Sequence, residues 1–383
     1  MAKIADHWHF ARTALAEQVL GMFETGLATA LTFFAPRRMG KTEFLRKDIT
    51  PLAEARRWKV FYFSFLDADT ATAQTFAAAL AVFARGSGLL AKMSKALGRV
   101  DRLSGAAAGM QAGIELHRAD TEDLKIVMQR LTKSSTHILL LLDEVQALAQ
   151  PTHKIFVAAL RTALDMHKDH VKVIFTGSSR EGLRRMFSQA SAPFFHFGQN
   201  LPFPELDRPF TEHLARVFQR TTRRRLDRDA LWRAFVDMGR IPQLARSLVE
   251  RLALHPDLSI TQAKNALLRT VSENRDYASE WKRCSKLEQV LLILIARSAD
   301  GVEPYKAATR KILAKALCLS DITIPSVQST LRSLSRRSLI FKPEERVGYE
   351  IEDPMFREWA AENANTASMR SSIQKSIGKS KRN

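Results

Sequence analysis

The chain has 383 residues, 45% of them hydrophobic, which is enough for two or three folded domains. Its formal net charge of +19 points to a polyanionic partner, nucleic acid first, with an acidic protein surface or anionic lipid as the alternatives. Two distant cysteines, Cys284 and Cys318, give neither a disulfide framework nor metal-ligand spacing; no apolar run reaches membrane-spanning length; and Met1 to Phe10 hold no signal-peptide core, so a cytoplasmic protein is expected.

The first 26 residues read as one or two amphipathic helices, with Phe10, Leu15, Val19 and Met22 on one face. An apolar strand near Ala28 to Phe34 leads into Ala35-Pro36-Arg37-Arg38-Met39-Gly40-Lys41-Thr42. This is the P-loop pattern G-x-x-x-x-G-K-[ST], with alanine at the first glycine. In such a loop, backbone N–H groups wrap the phosphates, the lysine offsets the β/γ charge and the threonine hydroxyl ligates Mg²⁺. A helix beginning at Thr42 adds its dipole. Pro36, Arg37, Arg38, Met39, Gly40, Lys41, Thr42 and Glu43 are therefore the expected ATP-binding residues. A chance Gly-Lys-Thr is the alternative, and the order strand, loop, helix argues against it.

Strand two is expected at Val60 to Phe65, followed by a helix near Ala71 to Ala84 and an insertion over residues 86–118 that contains the Gly/Ala/Ser-rich stretch Ser104 to Gly113. Strand three, Ile138 to Leu142, ends in Asp143-Glu144, a Walker B element. Asp143 is the expected Mg²⁺ residue beside Thr42, and Glu144 is the candidate that polarises the attacking water. A strand closed by an N-cap aspartate is the plainer reading.

Strand four, Val171 to Thr176, runs into Gly177-Ser178-Ser179-Arg180. Ser178, Ser179 or Thr176 is the candidate reporter of the γ-phosphate, and a serine cap for the next helix fits equally well. Arg180, Arg184 and Arg185 on that helix are candidates for an arginine finger acting within a nucleotide-dependent homo-oligomer; solvated helix arginines are the alternative. Strand five is expected at Phe195 to Phe197. The βαβα order with continuously apolar strands implies an α/β fold around a parallel sheet covered on both faces.

Beyond Pro202 and Pro204 the pattern is helical, over Arg208 to Arg225, Asp229 to Met238, Pro242 to Leu254 and Ile260 to Trp281. Three further helices, Lys286 to Arg297, Lys306 to Leu317 and Pro325 to Arg337, precede two short strands about the turn Lys342 to Gly348 and a last helix, Pro354 to Glu362. Three helices and a hairpin are the order of a winged helix. Val327, Leu331 and Leu334 mark its inward face, leaving Arg332 and Arg336 outward with Arg346 on the wing, a candidate duplex-DNA surface. Packing against protein is the competing role. Arg216, Arg220, Arg223, Arg224, Arg225 and Arg228 form a second basic group, and the tail from Asn363 to Asn383, expected to be disordered, a third.

Together these motifs resemble the AAA+ and STAND classes of P-loop ATPases, and most of all the archaeal-type ATPase family with a C-terminal winged helix. The resemblance rests on the P-loop, on Asp143-Glu144, on Gly177-Ser178-Ser179, on Met238-Gly239-Arg240-Ile241-Pro242 and on the ending Tyr349 to Pro354 with Phe356 and Trp359. The pattern along the chain gives an expected ATPase core over residues 1–204, a helical lid over 205–284, a winged helix over 285–362 and a basic tail over 363–383, and over about residues 20 to 362 it is matched by the resemblance. The resemblance implies that Gly239 and Pro242 line the adenine pocket, with Arg240 or Arg246 as the lid arginine. The expected activity is Mg²⁺-dependent ATP hydrolysis, slow or stimulated by a partner, coupled to DNA binding. A nucleotide-dependent signalling switch that docks protein is the other reading.

Overall fold

Strands that are apolar at every position must be covered on both faces, and the third strand, β3 (Ile138–Asp143), is fully buried along its length. The computed structural model describes residues 6–65, 72–85, 124–133, 137–188, 192–274, 277–298, 302–343 and 348–363. Five strands, β1 (Ala30–Phe34), β2 (Lys59–Ser64), β3, β4 (Val171–Gly177) and β5 (Gln199–Pro202), form one sheet in the order β2-β3-β4-β1-β5, and every pair is parallel. The fold is an α/β P-loop sheet.

The two periodic faces of the strands divide the core. Leu31, Phe33, Leu139, Leu141 and Ile174 face α1 (Thr13–Glu24), the helix α2 over residues 41–55, and the helices that follow the sheet. Ile138, Leu140, Leu142, Val173 and Phe175 face α3 (Thr72–Ala84), α4 (Leu124–Thr132) and α5 (Lys154–Met166). A short helix over residues 180–188, α6, follows β4.

The C-terminal half is built from α7 (Arg208–Thr222), α8 (Arg228–Asp237), α9 (Pro242–Leu254) and α10 (Ile260–Asn274). After these come α11 (Tyr277–Lys282), α12 (Lys286–Arg297), α13 (Ala307–Ala316) and α14 (Ile324–Arg336). An antiparallel pair, β6 (Ile340–Phe341) and β7 (Glu350–Ile351), then leads to α15 (Pro354–Asn363). A bridge between Val302 and Tyr349 extends this pair. Ser285 and Glu288 make a reciprocal cap that fixes the start of α12.

Two expectations need correction. Phe195 to Phe197 is not a strand. Phe194 and Phe197 pack on Phe175 from a turn, and Gly198 (φ 83°) sits where a Cβ would lie 2.5 Å from the Ala30 carbonyl oxygen, so pairing with β1 starts only at Gln199. The first helix starts at Thr13 and buries Ala16, Val19, Leu20 and Phe23; Phe10 precedes it and packs edge-on against Phe210. At the start of α11, Tyr277 packs at a tilt against Phe356 and Trp359 and donates to Asp353 Oδ2 at 2.9 Å. The 86–118 insertion, Arg346 and the tail beyond Asn363 lie outside the described residues.

Candidate functional site

The site forms where β1, β3 and β4 end together, at the carboxyl edge of the sheet, where ligands of open α/β folds bind. Phe34 pairs with Gly177, and Ala35 N–H donates to the Gly177 carbonyl at 3.4 Å, so the loop leaving β1 starts beside the turn leaving β4. That loop reaches α2 through two left-handed residues, Arg38 (φ 71°) and Gly40 (φ 89°). Ala35 is not among the residues with positive φ, so alanine at the first glycine position carries no backbone strain.

Lys41 is 4% exposed, and its ammonium donates to the Ala35 and Pro36 carbonyls at 2.6 and 3.0 Å. Burial lowers its pKa; the charges of Glu144 and Asp143 oppose that, and Arg37 adds to it. Asp143 is 1% exposed, and both of its oxygens are hydrogen-bonded. Its Oδ2 accepts from Thr42 Oγ1 at 2.6 Å and from Tyr62 OH at 3.0 Å. Its Oδ1 accepts from Thr176 Oγ1 and from the Glu144 N–H at 3.1 Å.

Glu144 holds a left-handed backbone (φ 55°, ψ 41°), which costs a non-glycine residue about 1–2 kcal/mol and turns its side chain along the sheet edge. Its Oε2 accepts from Ser178 Oγ at 2.6 Å, from Ser178 N–H at 3.2 Å and from Gln146 Nε2. The two serines after Gly177 thus part company. Ser178 is buried on Glu144, whereas Ser179 Oγ accepts from Gly182 N–H at 3.1 Å as a cap of α6 and lies 3.4 Å from Ser338 Oγ. Thr176 belongs to Asp143. The side chain of Arg180 lies outside the described residues; Arg184 is exposed and Arg185 half-buried on α6.

Pro242 is buried at the first turn of α9. The same helix reaches α2 through Arg246, which shares Asp6 (3.8 Å) with Lys47 (2.7 Å). Gly239 and Arg240 are both left-handed, and Arg240 pairs with Glu205 and Asp207 at 3.5 and 3.2 Å over the Trp232 ring. On α14, Arg332 and Arg336 are exposed while Val327, Thr330, Leu331 and Leu334 are buried.

Several polar residues of the site carry no sequence motif. Tyr62 sits in β2 as one more aromatic strand residue. Gln146 follows the acidic pair without a pattern of its own. Arg12 stacks over Phe203 at 4.3 Å and donates to Pro204 O at 2.5 Å and Met39 O at 3.3 Å, tying the loop to the segment that leaves the sheet. Burial pulls its pKa down to about 10 against the charge of Asp48.

Residues 10–193 match a family model described as an ATPase domain predominantly from Archaea. This segment is a P-loop ATPase domain. Among solved structures, a Walker-type ATPase of Pyrococcus abyssi superposes with a TM-score of 0.64 at 16% identity, covering 94% of this chain and 98% of that one. The ORC2 protein of Aeropyrum pernix, as its ADPNP–ADP complexes, gives 0.54 at 16% identity, covering 95% and 93%. These likenesses extend the shared fold beyond the ATPase domain through nearly the whole chain. No curated protein matches the sequence significantly. No helix among the described residues is long and apolar enough to cross a membrane.

Proposed function

We propose that this ATPase binds Mg²⁺-ATP at the edge of β1, β3 and β4 and couples its nucleotide state to duplex DNA through the C-terminal helices. The carrying observation is the 2.6 Å hydrogen bond from Thr42 to Asp143, which joins loop and Walker strand into one polar cluster. In this reading Lys41 and the N–H groups of residues 36–43 hold the phosphates, and Pro242 lies toward the base. The donor set suits Mg²⁺: one hydroxyl, Thr42, and one carboxylate, Asp143, with no cluster of three or more acidic, His or Cys ligands among the described residues. Mg²⁺ there would offset phosphate charge. Glu144 takes the proton of the attacking water, and Ser178 orients Glu144. Arg180 and its neighbours Arg184 and Arg185 serve as finger candidates between copies of the chain.

We read α12 to β7 as a winged helix, with domain limits near residues 204, 284 and 362. Arg332 and Arg336 face outward from the buried stripe of α14, and no described carboxylate pairs with either, so both are available to phosphate. The arginines at the end of α7 are the remaining surface: Arg216 and Arg220 on the helix and Arg223 just after it line a cleft of about 610 Å³ with His213 and Gln219. One observation favours a protein-docking switch instead. Ser338, just after α14, lies against Ser179, so the C-terminal unit already touches the turn that holds Glu144. ATP hydrolysis measured with and without duplex DNA across a salt series separates the two. Stimulation that fades with salt supports the DNA reading, and a rate indifferent to DNA supports the switch.

A further inference from the structure

The Glu144 carboxylate is held unevenly. Oε2 takes three donors, and no described residue donates to Oε1. Two of the donors come from Ser178. The third, Gln146 Nε2, also donates to Ser178 Oγ at 3.2 Å. That second bond matters for direction. With one lone pair of Oγ occupied by the amide, the serine hydroxyl is left to point its hydrogen at Glu144. Gln146 therefore sets both its own bond and the serine's.

The orientation of the amide is fixed by charge. Reversing it would set the Gln146 carbonyl against a carboxylate, so the NH₂ must face Glu144. The consequence is that Gln146 Oε1 is buried without a hydrogen-bond partner. An orphaned carbonyl is unfavourable, and a purely structural residue here would more readily be apolar. The backbone around it is also cut to its shape. A Cβ on Gly177 would lie 2.7 Å from Gln146 Oε1, and one on Gly182 would lie 2.5 Å from Gln146 Cβ. Neither glycine has positive φ, so neither is required by its backbone conformation.

We propose that Gln146 is a positioning residue for hydrolysis: with Ser178 it pins Glu144 Oε2, leaving Oε1 as the free oxygen that accepts a proton from the attacking water. This rests on the reading of Glu144 as the base. Gln146 touches neither nucleotide nor water in this scheme and acts only through Glu144.

The test is Gln146→Met, which keeps side-chain length and volume while removing both the donor and the orphaned oxygen. Single-turnover hydrolysis, ATP affinity and thermal unfolding are measured in the parent and in the Glu144→Gln background. Expected are a fall in hydrolysis of about 10- to 100-fold, the scale of a misplaced catalytic group, with ATP affinity and melting temperature unchanged. In the Glu144→Gln background the same substitution should change hydrolysis by less than about twofold, since there is no base left to position. Gly182→Ala, which presses on the Gln146 stem, should lower turnover in the same direction. A Gln146→Met protein that hydrolyses at the parental rate beside an inactive Glu144→Gln protein would overturn the inference alone. An equal loss in both backgrounds would overturn it too, by assigning Gln146 a role independent of Glu144. Parental turnover in Glu144→Gln would remove the base reading and this inference with it.

Discussion

The edge of the sheet and the outer face of α14 treat charge in opposite ways. Asp143 is almost fully buried and meets four donors from four places in the chain: Thr42, Tyr62, Thr176 and the Glu144 backbone. Arg332 and Arg336 are exposed and meet no described carboxylate. Arg337, one position on, shows that this is not a property of the helix end. It is half-buried and pairs with Glu280 at 2.7 Å and Glu288 at 3.6 Å. A buried charge must be matched inside the protein, because an unmatched one is too costly to keep. An exposed one needs no internal match and remains free for a partner. The first kind fixes geometry, and the second sets an affinity that salt can tune.

The comparison is broken hardest at Glu144. Glu144→Gln keeps the shape of the side chain and leaves Asp143 and Thr42 alone, but the amide cannot take up a proton. ATP binding should persist while turnover falls about 10²- to 10⁴-fold. Equilibrium binding and steady-state hydrolysis on one preparation check it, and a variant that still turns over near the parental rate would move the base elsewhere. Lys41→Ala comes next. It removes a buried cation that feels the charges of Asp143 and Glu144, so ATP affinity should drop at least tenfold, about 1.4 kcal/mol, as titration with a fluorescent analogue would report.

On the exposed side the expected effect has a different signature. Replacing Arg332 and Arg336 by alanine should leave thermal stability and ATP affinity unchanged, since neither residue is packed or paired among the described residues. Duplex binding should weaken, and the slope of log K against log salt should flatten by about 0.9 for each phosphate no longer neutralised. Unchanged affinity and slope would turn attention to Arg216 and Arg220 on α7 and Arg223 just after it.

The sequence is most readable where one residue type can do only one job. Gly40-Lys41-Thr42 after an apolar strand, and Asp143-Glu144 ending another, mark the candidate site because a phosphate loop and a buried acidic pair admit few substitutes, and the fold brings the two together through Thr42 and Asp143. Four strands are visible as continuous apolar runs. The fifth is not: Phe195 to Phe197 has strand composition, but Phe194 and Phe197 are core residues in a turn, and the paired segment Gln199–Pro202 is polar at the sheet edge. Gln146, Tyr62 and Arg12 are invisible for a related reason. Each works through a partner brought to it by the fold, and nothing in its own neighbourhood announces that role. The ambiguity between Ser178 and Ser179 is genuine at the level of sequence, because both reporter and cap require a hydroxyl; in the fold Ser178 bonds to Glu144 and Ser179 caps α6.

The smallest effect tests whether the buried cluster is as tightly matched as its four donors suggest. Tyr62 OH reaches Asp143 Oδ2 at 3.0 Å from the neighbouring strand, where Ser64 pairs with Asp143. Tyr62→Phe removes that one hydroxyl and keeps the ring, over which Arg46 lies at 5.6 Å. Asp143 Oδ2 then keeps only Thr42. A hydrogen bond to a charged acceptor contributes about 1.5–3 kcal/mol at most, and the remaining three donors offset part of the loss, so a destabilisation of about 1 kcal/mol is expected. Chemical denaturation should show it as a lower midpoint with an unchanged slope, because the native and unfolded surfaces are the same. Turnover should stay within a few-fold of the parent, since Glu144 and its own donors are untouched. A Tyr62→Phe protein as stable as the parent would mean that the cluster tolerates a missing donor, and the contrast with the arginines of α14 would then be one of burial alone.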